Sequence, residues 1–282
     1  MNCDPTILDF FADYIEKQLG IVYEKANYYQ LERRLHEITA QMEFSSVEEL
    51  YEKSQNYMPQ NLKLYLLDAA TNNETFFFRD KNVFDCFKEK IEGMLSKNPN
   101  LYINVWSAAC SFGQEPYTLS MVLKGIKDKN PGLTYDITAS DISSRALEYA
   151  KAACYSQLQV QRGLPTMLLV KYFEQVKLDG DSVWRVKPEI KDRVQFKSLN
   201  LLHEWAHPRP FDFVFCRNVL IYQSVDRKRK IVEKIHQCLR DDGYLVLGAA
   251  ESMLGISEDF AYDRGDKVTL YVKKPASLKA SA

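Results

Sequence analysis

The sequence predicts an α/β protein: a doubly wound, mostly parallel sheet, preceded by a helical domain and carrying a small β insertion. Three observations predict it. Apolar residues in the first seventy positions recur at three- and four-residue steps, the spacing of one helix face. From about residue 100 onward, short strand-type runs alternate with helical stretches. Between residues 155 and 193 a hairpin pattern breaks that alternation.

Taken in order, Ile7, Leu8, Phe11, Tyr14 and Ile15 define a first helix. The stretch Tyr28–Met42 repeats the spacing through Leu31, Leu35 and Ile38. Ser45 and Ser46 precede Val47 and the acidic pair Glu48 and Glu49, which suits a helix start. Leu62, Tyr65, Leu66 and Ala69 give another stripe, and the bundle is expected to end near Ala70. Strands are expected at Leu101–Trp106, Tyr135–Ala139, Val194–Lys197, Phe211–Cys216, Tyr244–Gly248 and Lys267–Val272. Helices are expected between them at Pro116–Lys127, Arg145–Ala153 and Asp226–Arg240. Within the insertion, Asp179-Gly180 sits at the turn between Tyr172-Phe173 and Val183–Val186. The organisation expected is a helical domain over 1–70, a linker over 71–80 and a sheet domain over 81–282, with a disordered tail from Pro275.

The 282 residues, 46% hydrophobic and 27% charged, describe a globular chain with a core rather than a disordered one. No apolar run is long enough to span a bilayer, and the N-terminus lacks the basic-then-apolar order of a secretory signal. Six scattered cysteines without a CxxC pair fit reduced thiols and a cytoplasmic setting. Residues 1–70 carry twelve acidic and six basic side chains, a net of −6, so the remainder carries +5 against the whole chain's −1. That asymmetry fits attraction of an acidic partner, and equally ordinary scatter between domains.

In a doubly wound sheet, ligands bind outside the carboxyl ends of the strands, so the residues just past each strand carry the functional argument. After the first strand comes Ser107-Ala108-Ala109-Cys110-Ser111-Phe112-Gly113-Gln114-Glu115-Pro116, a turn of small residues with proline suited to the first turn of a helix. A single glycine excludes a GxGxxG dinucleotide loop. An uncharged cradle followed by Glu115 fits a cationic ligand better than a pyrophosphate, and a plain strand–helix turn fits too. Asp141, closing the second strand, is placed to accept from ribose hydroxyls or to cap the helix near Ser144. Arg217, Asn218 and Tyr222 come after the strand Phe211–Cys216, either as ligand groups or as turn and core residues. Asn73, Thr75 and Arg79 surround three successive phenylalanines at the domain junction, a ligand wall or an aromatic glue.

Two motifs are set aside. His203-Glu204-Trp205-Ala206-His207 matches HExxH, but Pro208 and Pro210 come at once after it and no helical periodicity precedes it, so no metal site is expected. The run Arg227–Lys230 opens an amphipathic helix and reads as a solvated face rather than a nucleic-acid site.

Together, the segments NNETFFFRD, VWSAACSFGQEPYTLSM, ASDIS, SLNLL and FCRNVLIY resemble the chemotaxis receptor glutamate methyltransferases, the CheR family, over nearly the whole chain. The resemblance implies a class I methyltransferase-like fold and S-adenosylmethionine as cofactor, with S-adenosylhomocysteine as product. It also implies the cytoplasmic domain of methyl-accepting chemotaxis receptors as partner, with neither nucleic acid nor membrane insertion. It assigns Asn73, Thr75, Arg79, Glu115, Asp141, Asn200, Leu201, Arg217 and Asn218 to the cofactor, and Tyr222 to the reacting groups. Arg79 and Glu115 are expected to hold the cofactor's amino-acid end, and Asp141 its ribose. Departures exist. Gly113-Gln114-Glu115-Pro116 stands where the family often has Gly-Glu-Glu-Pro. The helical domain, which in the family carries a basic face towards the receptor, nets −6 here, although Arg33, Arg34 and His36 cluster on one predicted helix. A binding module without catalysis and an enzyme for small carboxylic acids are the rival classes.

Overall fold

The computed structural model describes residues 3–265 and 268–275; the expected disorder beyond Pro275 lies outside them. Four helices come first: α1 Pro5–Leu19, α2 Tyr28–Gln41, α3 Val47–Asn56 and α4 Gln60–Ala70. Their apolar stripes close on one another. Ile7, Leu8, Phe11, Ile15, Leu31, Leu35, Ile38, Leu50, Leu62 and Leu66 form one core cluster. Asp4 caps α1 by accepting from the Thr6 N–H, and Ser46 caps α3 by accepting from Glu49. A segment without helix or strand leads to α5, Lys81–Leu95.

Then the alternation begins, in the order β1 Tyr102–Ala108, α6 Gln114–Lys127, β2 Thr134–Asp141 and α7 Ser144–Ala152. Next come β3 Cys154–Tyr155, α8 Gln157–Gln161, α9 Thr166–Tyr172, β4 Phe173–Leu178, β5 Asp181–Val186 and α10 Pro188–Lys191. The chain closes with β6 Val194–Ser198, β7 Phe211–Cys216, α11 Val225–Cys238, β8 Leu239–Val246, β9 Phe260–Arg264 and β10 Thr269–Lys273.

Seven strands form one sheet in the order β6-β2-β1-β7-β8-β10-β9. The first five run parallel, and β10 is antiparallel to both its neighbours. This is the doubly wound sheet the alternation predicts. Strand order reverses between β1 and β7, so the crevice that binds ligands in such sheets must open at their carboxyl ends. β1 and β7 are buried almost throughout, as central parallel strands must be. A second, three-stranded antiparallel sheet has the order β3-β5-β4. Its hairpin turns at Asp179 and Gly180, both with positive φ (50° and 92°), the geometry for which Asp-Gly is favoured.

Differences from the sequence-based expectation have local causes. α5 precedes the first strand, where no helix is expected, although Val83, Phe84, Phe87, Ile91 and Leu95 mark its buried face. β8 begins at Leu239, and α11 stops at Cys238 instead of Arg240. Leu239 pairs with Phe211, and a register irregularity carries the polar run Arg240–Gly243 into the strand, with Asp242 left-handed. β9 is mixed in polarity and lies at the sheet edge, which weakens its signal. The expected strand Lys267–Val272 is observed from Thr269, and Lys267 is outside the described residues.

No helix encloses His203 and His207; the segment is a turn leading into irregular chain. His207 instead packs against Trp106 and Phe211, with ring centroids 4.7 and 4.6 Å away, and its Nε2 is buried without a partner. Burial, then the Lys197 charge, lowers this imidazole from 6.5 to about 4. Below about 6.5 the unfolded chain takes up a proton that the folded chain refuses, so stability falls as pH drops towards about 4. Discounted for the ring's half-exposure, the loss is roughly 1–2 kcal/mol. Chemical denaturation at several pH values should show this acid slope, and His207→Phe should flatten it; an unchanged slope in the variant would refute the assignment.

Candidate active site

The carboxyl ends of β1, β2, β6 and β7 open into one pocket of about 1070 Å³, counting its mouth. The segment 71–79 walls it on one side, and Leu19 and Ile21, at the end of α1 and just past it, wall it on another. All ten residues that the resemblance assigns to cofactor or chemistry line it: Asn73, Thr75, Arg79, Glu115, Asp141, Asn200, Leu201, Arg217, Asn218 and Tyr222. They come from separate stretches of chain, and the sheet topology converges them.

The turn after β1 explains its small residues. Ala109 and Ser111 take left-handed φ of 58° and 50°, and Gly113 reaches 90°. A Cβ on Gly113 would stand 2.9 Å from the Ala150 Cβ, so glycine is also needed for the close approach of α7. Gly113 starts α6, and Glu115 sits in the first turn of that helix. Of the non-glycine residues with positive φ, Phe78, Asp80, Ala109, Ser111 and Asn218 all belong to segments bordering this pocket.

Asp141 is 5% exposed at the end of β2. Its Oδ2 accepts from the Ser111 N–H at 2.7 Å and its Oδ1 from the Ser143 N–H at 2.9 Å. Capping of α7 falls to Ser143, whose hydroxyl accepts from Ala146. The capping alternative for Asp141 is therefore wrong, and its carboxylate faces the pocket with lone pairs to spare. Burial raises its carboxyl above the usual range, and the backbone donors oppose that.

The other charged cluster centres on Arg217, whose side chain is 2% exposed. Its Nη1 donates to Glu115 Oε2 at 2.9 Å; its Nη2 donates to Asp80 Oδ2 at 2.6 Å and to the Arg79 carbonyl at 2.8 Å. Glu115 accepts a further bond from the Ser107 hydroxyl at 2.7 Å. Arg217 thus fixes Glu115 from behind and ties the 71–80 segment to the sheet. The Arg79 guanidinium donates to the Glu74 carbonyl and lies 5.9 Å from the Phe76 ring. It does not pair with Glu115 among the contacts observed. Phe77 is fully buried against Tyr155 and Phe173, so the aromatics of this segment anchor it to the core.

Asn200 accepts from the Leu202 N–H and donates to the Gln18 carbonyl at the end of α1. Leu199, Leu201, Leu202 and Ile142 supply an apolar wall nearby. Tyr222 is 36% exposed, and its hydroxyl accepts from Asn72 Nδ2 at 3.1 Å. Asn73 donates to the Thr71 hydroxyl, while its carbonyl accepts from Ser111.

Sequence reasoning misses two residues of consequence. Glu251 accepts from the N–H groups of Asn218, Val219, Leu220, Ile221 and Gly248, at 2.7–3.2 Å, and so holds the turn that presents Asn218 and Tyr222. A Cβ on Gly248 would come within 2.6 Å of Asn218 Nδ2 and 2.9 Å of Glu251 Oε2. A signal exists in the chain, since Glu251 lies just past the carboxyl end of β8. Gln223 lines the pocket and donates to the Leu19 carbonyl, while its Oε1 is buried without a partner.

These residues fit a nucleoside carrying an amino-acid arm. The pocket has the size of a small-molecule site, an apolar slot, a buried acid at the end of β2 and a second acid at the start of α6. Polar atoms without partners, Arg217 Nε and Gln223 Oε1, belong to its lining residues.

The family model described as "CheR methyltransferase, SAM binding domain" matches residues 73–268. "Chemotaxis protein methyltransferase Cher2" of Pseudomonas putida is 39% identical over 259 residues, covering 90% of this chain and 93% of the relative. "Chemotaxis protein methyltransferase 1" of Pseudomonas aeruginosa is 39% identical, covering 89% and 92%. The protein of the same name from Vibrio cholerae is 35% identical, covering 94% and 95%.

Proposed function

The chain belongs to the CheR methyltransferase family, with S-adenosylmethionine as cofactor, and we propose that it methylates glutamate side chains on the cytoplasmic domain of chemotaxis receptors. The observation that carries this reading is the convergence, on one pocket, of every site residue matched to the family's motifs.

When bound, the cofactor supplies a methyl group on a positively charged sulfur. The residues have separable tasks. Asp141 accepts from the ribose hydroxyls. Glu115, held by Arg217 and Ser107, meets the ammonium of the amino-acid arm, and Arg79 meets its carboxylate. Asn200 and Leu201 border the base, and Asn73, Thr75 and Asn218 complete the wall. Tyr222, at the mouth, orients the incoming carboxylate. A glutamate is ionised at neutral pH, with a reference pKa of about 4.3, so no general base is needed. The chain's contribution is alignment of the reacting atoms and exclusion of water, effects that reach roughly 7–11 kcal/mol in favourable cases.

Transfer of tritiated methyl groups to membranes rich in chemotaxis receptors, released as methanol by mild base, tests the activity. Label retained through base treatment, or none at all, would remove glutamate esters from consideration. Asp141→Ala tests the ribose contact. Losing hydrogen bonds to a charged acceptor costs roughly 1.5–3 kcal/mol, so affinity for S-adenosylhomocysteine should fall between about 10- and 150-fold in calorimetry. Unchanged affinity would void that contact. Because burial raises the Asp141 carboxyl, affinity in the wild-type chain should weaken on acidification at higher pH than an ordinary carboxylate would dictate.

A further inference from the structure

We propose that Cys3, Glu32 and His36 form a Zn²⁺ site that fastens the N-terminal end of α1 to α2. The three donor atoms lie within 4.8 Å of one another, and they are the metal-ligating cluster found among the described residues. None of the three residues lines the cofactor pocket.

The geometry arises from two elements. Glu32 and His36 are four residues apart on α2, so their side chains share one helix face. Cys3 immediately precedes Asp4, the N-cap of α1, and its N–H donates to Glu32 Oε1 at 3.0 Å. That bond brings the cysteine over the same face, with Sγ 4.0 Å from His36 Nε2. In a tetrahedral zinc site, bonds of about 2.3 Å to sulfur and about 2.0–2.1 Å to nitrogen set these two atoms about 3.6 Å apart. The sulfur and nitrogen therefore need to close by only a few tenths of an ångström.

The donor set chooses the ion. A thiolate, an imidazole and a carboxylate together suit borderline-soft Zn²⁺, whereas Mg²⁺ and Ca²⁺ demand oxygen donors. Cys3 and Glu32 are 8% and 9% exposed, while His36 is exposed, so the site is closed towards the core and open on the solvent side. A water completes the fourth position there. On binding, the thiol proton leaves to solvent and the thiolate becomes a ligand. The HExxH segment shares the four-residue spacing of ligand types yet lacks the helix that would aim both rings; α2 supplies that helix for Glu32 and His36.

The test uses the untagged full-length chain, reduced and stripped of metal with a chelator, then titrated with Co²⁺ as a spectroscopic probe. One Co²⁺ per chain should produce a thiolate-to-metal charge-transfer band, and Zn²⁺ should abolish it by displacement. Cys3→Ser should remove the band, and His36→Gln should weaken Zn²⁺ binding by more than about tenfold in competition with a chromophoric chelator. Zn²⁺ should raise the melting temperature of the wild-type chain and not that of Cys3→Ser. His36 is exposed, so its variant keeps the test decisive even if Cys3→Ser fails to fold. No band in the wild-type chain, a band unchanged in Cys3→Ser, or His36→Gln binding like wild type would each overturn the site.

Discussion

Glu251→Ala is expected to reduce methyl transfer by at least about 100-fold while leaving most of the fold in place. Five backbone N–H groups converge on this one carboxylate, four of them from the consecutive residues Asn218–Ile221. Such an arrangement is an anion nest built by the chain for its own side chain. Removing the acceptor strands donors that cost roughly 1–3 kcal/mol each when buried, although water reaches the outermost of them. The turn can escape that cost only by rearranging. Asn218, held at φ 60°, would then relax, and Tyr222 would leave the pocket mouth. Glu251→Gln keeps one oxygen but turns an amide N–H₂ towards donors, so an intermediate loss is expected. The loss should appear in turnover more than in cofactor affinity, because Asp141 and Asn200, the proposed ribose and base contacts, lie at or just past the ends of other strands. Methyl-transfer kinetics within twofold of wild type for Glu251→Ala would show that the turn stands without it.

Arg217→Met carries the second large effect. Arg217 is buried, and it neutralises Glu115, whose side chain is only 13% exposed. Asp80, at 40% exposure, can turn to solvent when its partner goes, but Glu115 cannot. Breaking one partner of a buried pair typically costs about 3–5 kcal/mol, because the remaining charge is left without compensation. Stability should fall by roughly that amount, and affinity for S-adenosylhomocysteine should fall with it as Glu115 loses its fixed position. Arg217→Lys retains charge but not the two-pronged fork, so it should recover only part of the loss. The double variant Arg217→Met with Glu115→Gln separates the causes. It should regain stability relative to Arg217→Met alone without regaining cofactor affinity. Independent, additive effects on stability would contradict the coupling.

Much of this site is legible in the chain because a parallel sheet turns sequence position into spatial position. Each strand delivers its next few residues to the same edge, so Ser107–Glu115, Asp141 and Arg217–Tyr222 can be grouped from the sequence alone. Partnerships are harder to read. Arg79 and Glu115 are expected to hold the cofactor's amino-acid end, and the sequence does not reveal that Glu115 is itself held by Arg217, 102 positions away. Asp141 admits two readings in the sequence, and Ser143 proves to be the cap. Glu251 escapes notice because its partners are backbone groups, which leave no trace in side-chain pattern. The walls contributed by Leu19 and Ile21 depend on how the first helices rest against the sheet, and local periodicity does not encode that. α5 is regular in spacing, but it stands between the helical bundle and the first strand, outside the alternation that marks the other sheet-covering helices.

The last turn of α1 is fastened from the sheet side. Asn200 donates to the Gln18 carbonyl, Gln223 to Leu19, and Arg227 to Gly20 and to the Glu16 carboxylate. Asn200 and Gln223 are also walls of the pocket. The pocket wall and the posture of the leading helix thus share the same two amides. Free-energy linkage runs in both directions. A macromolecule that shifts this helix on landing would alter how tightly the nucleoside is held, and a filled pocket would, to the same factor, alter how well that macromolecule lands.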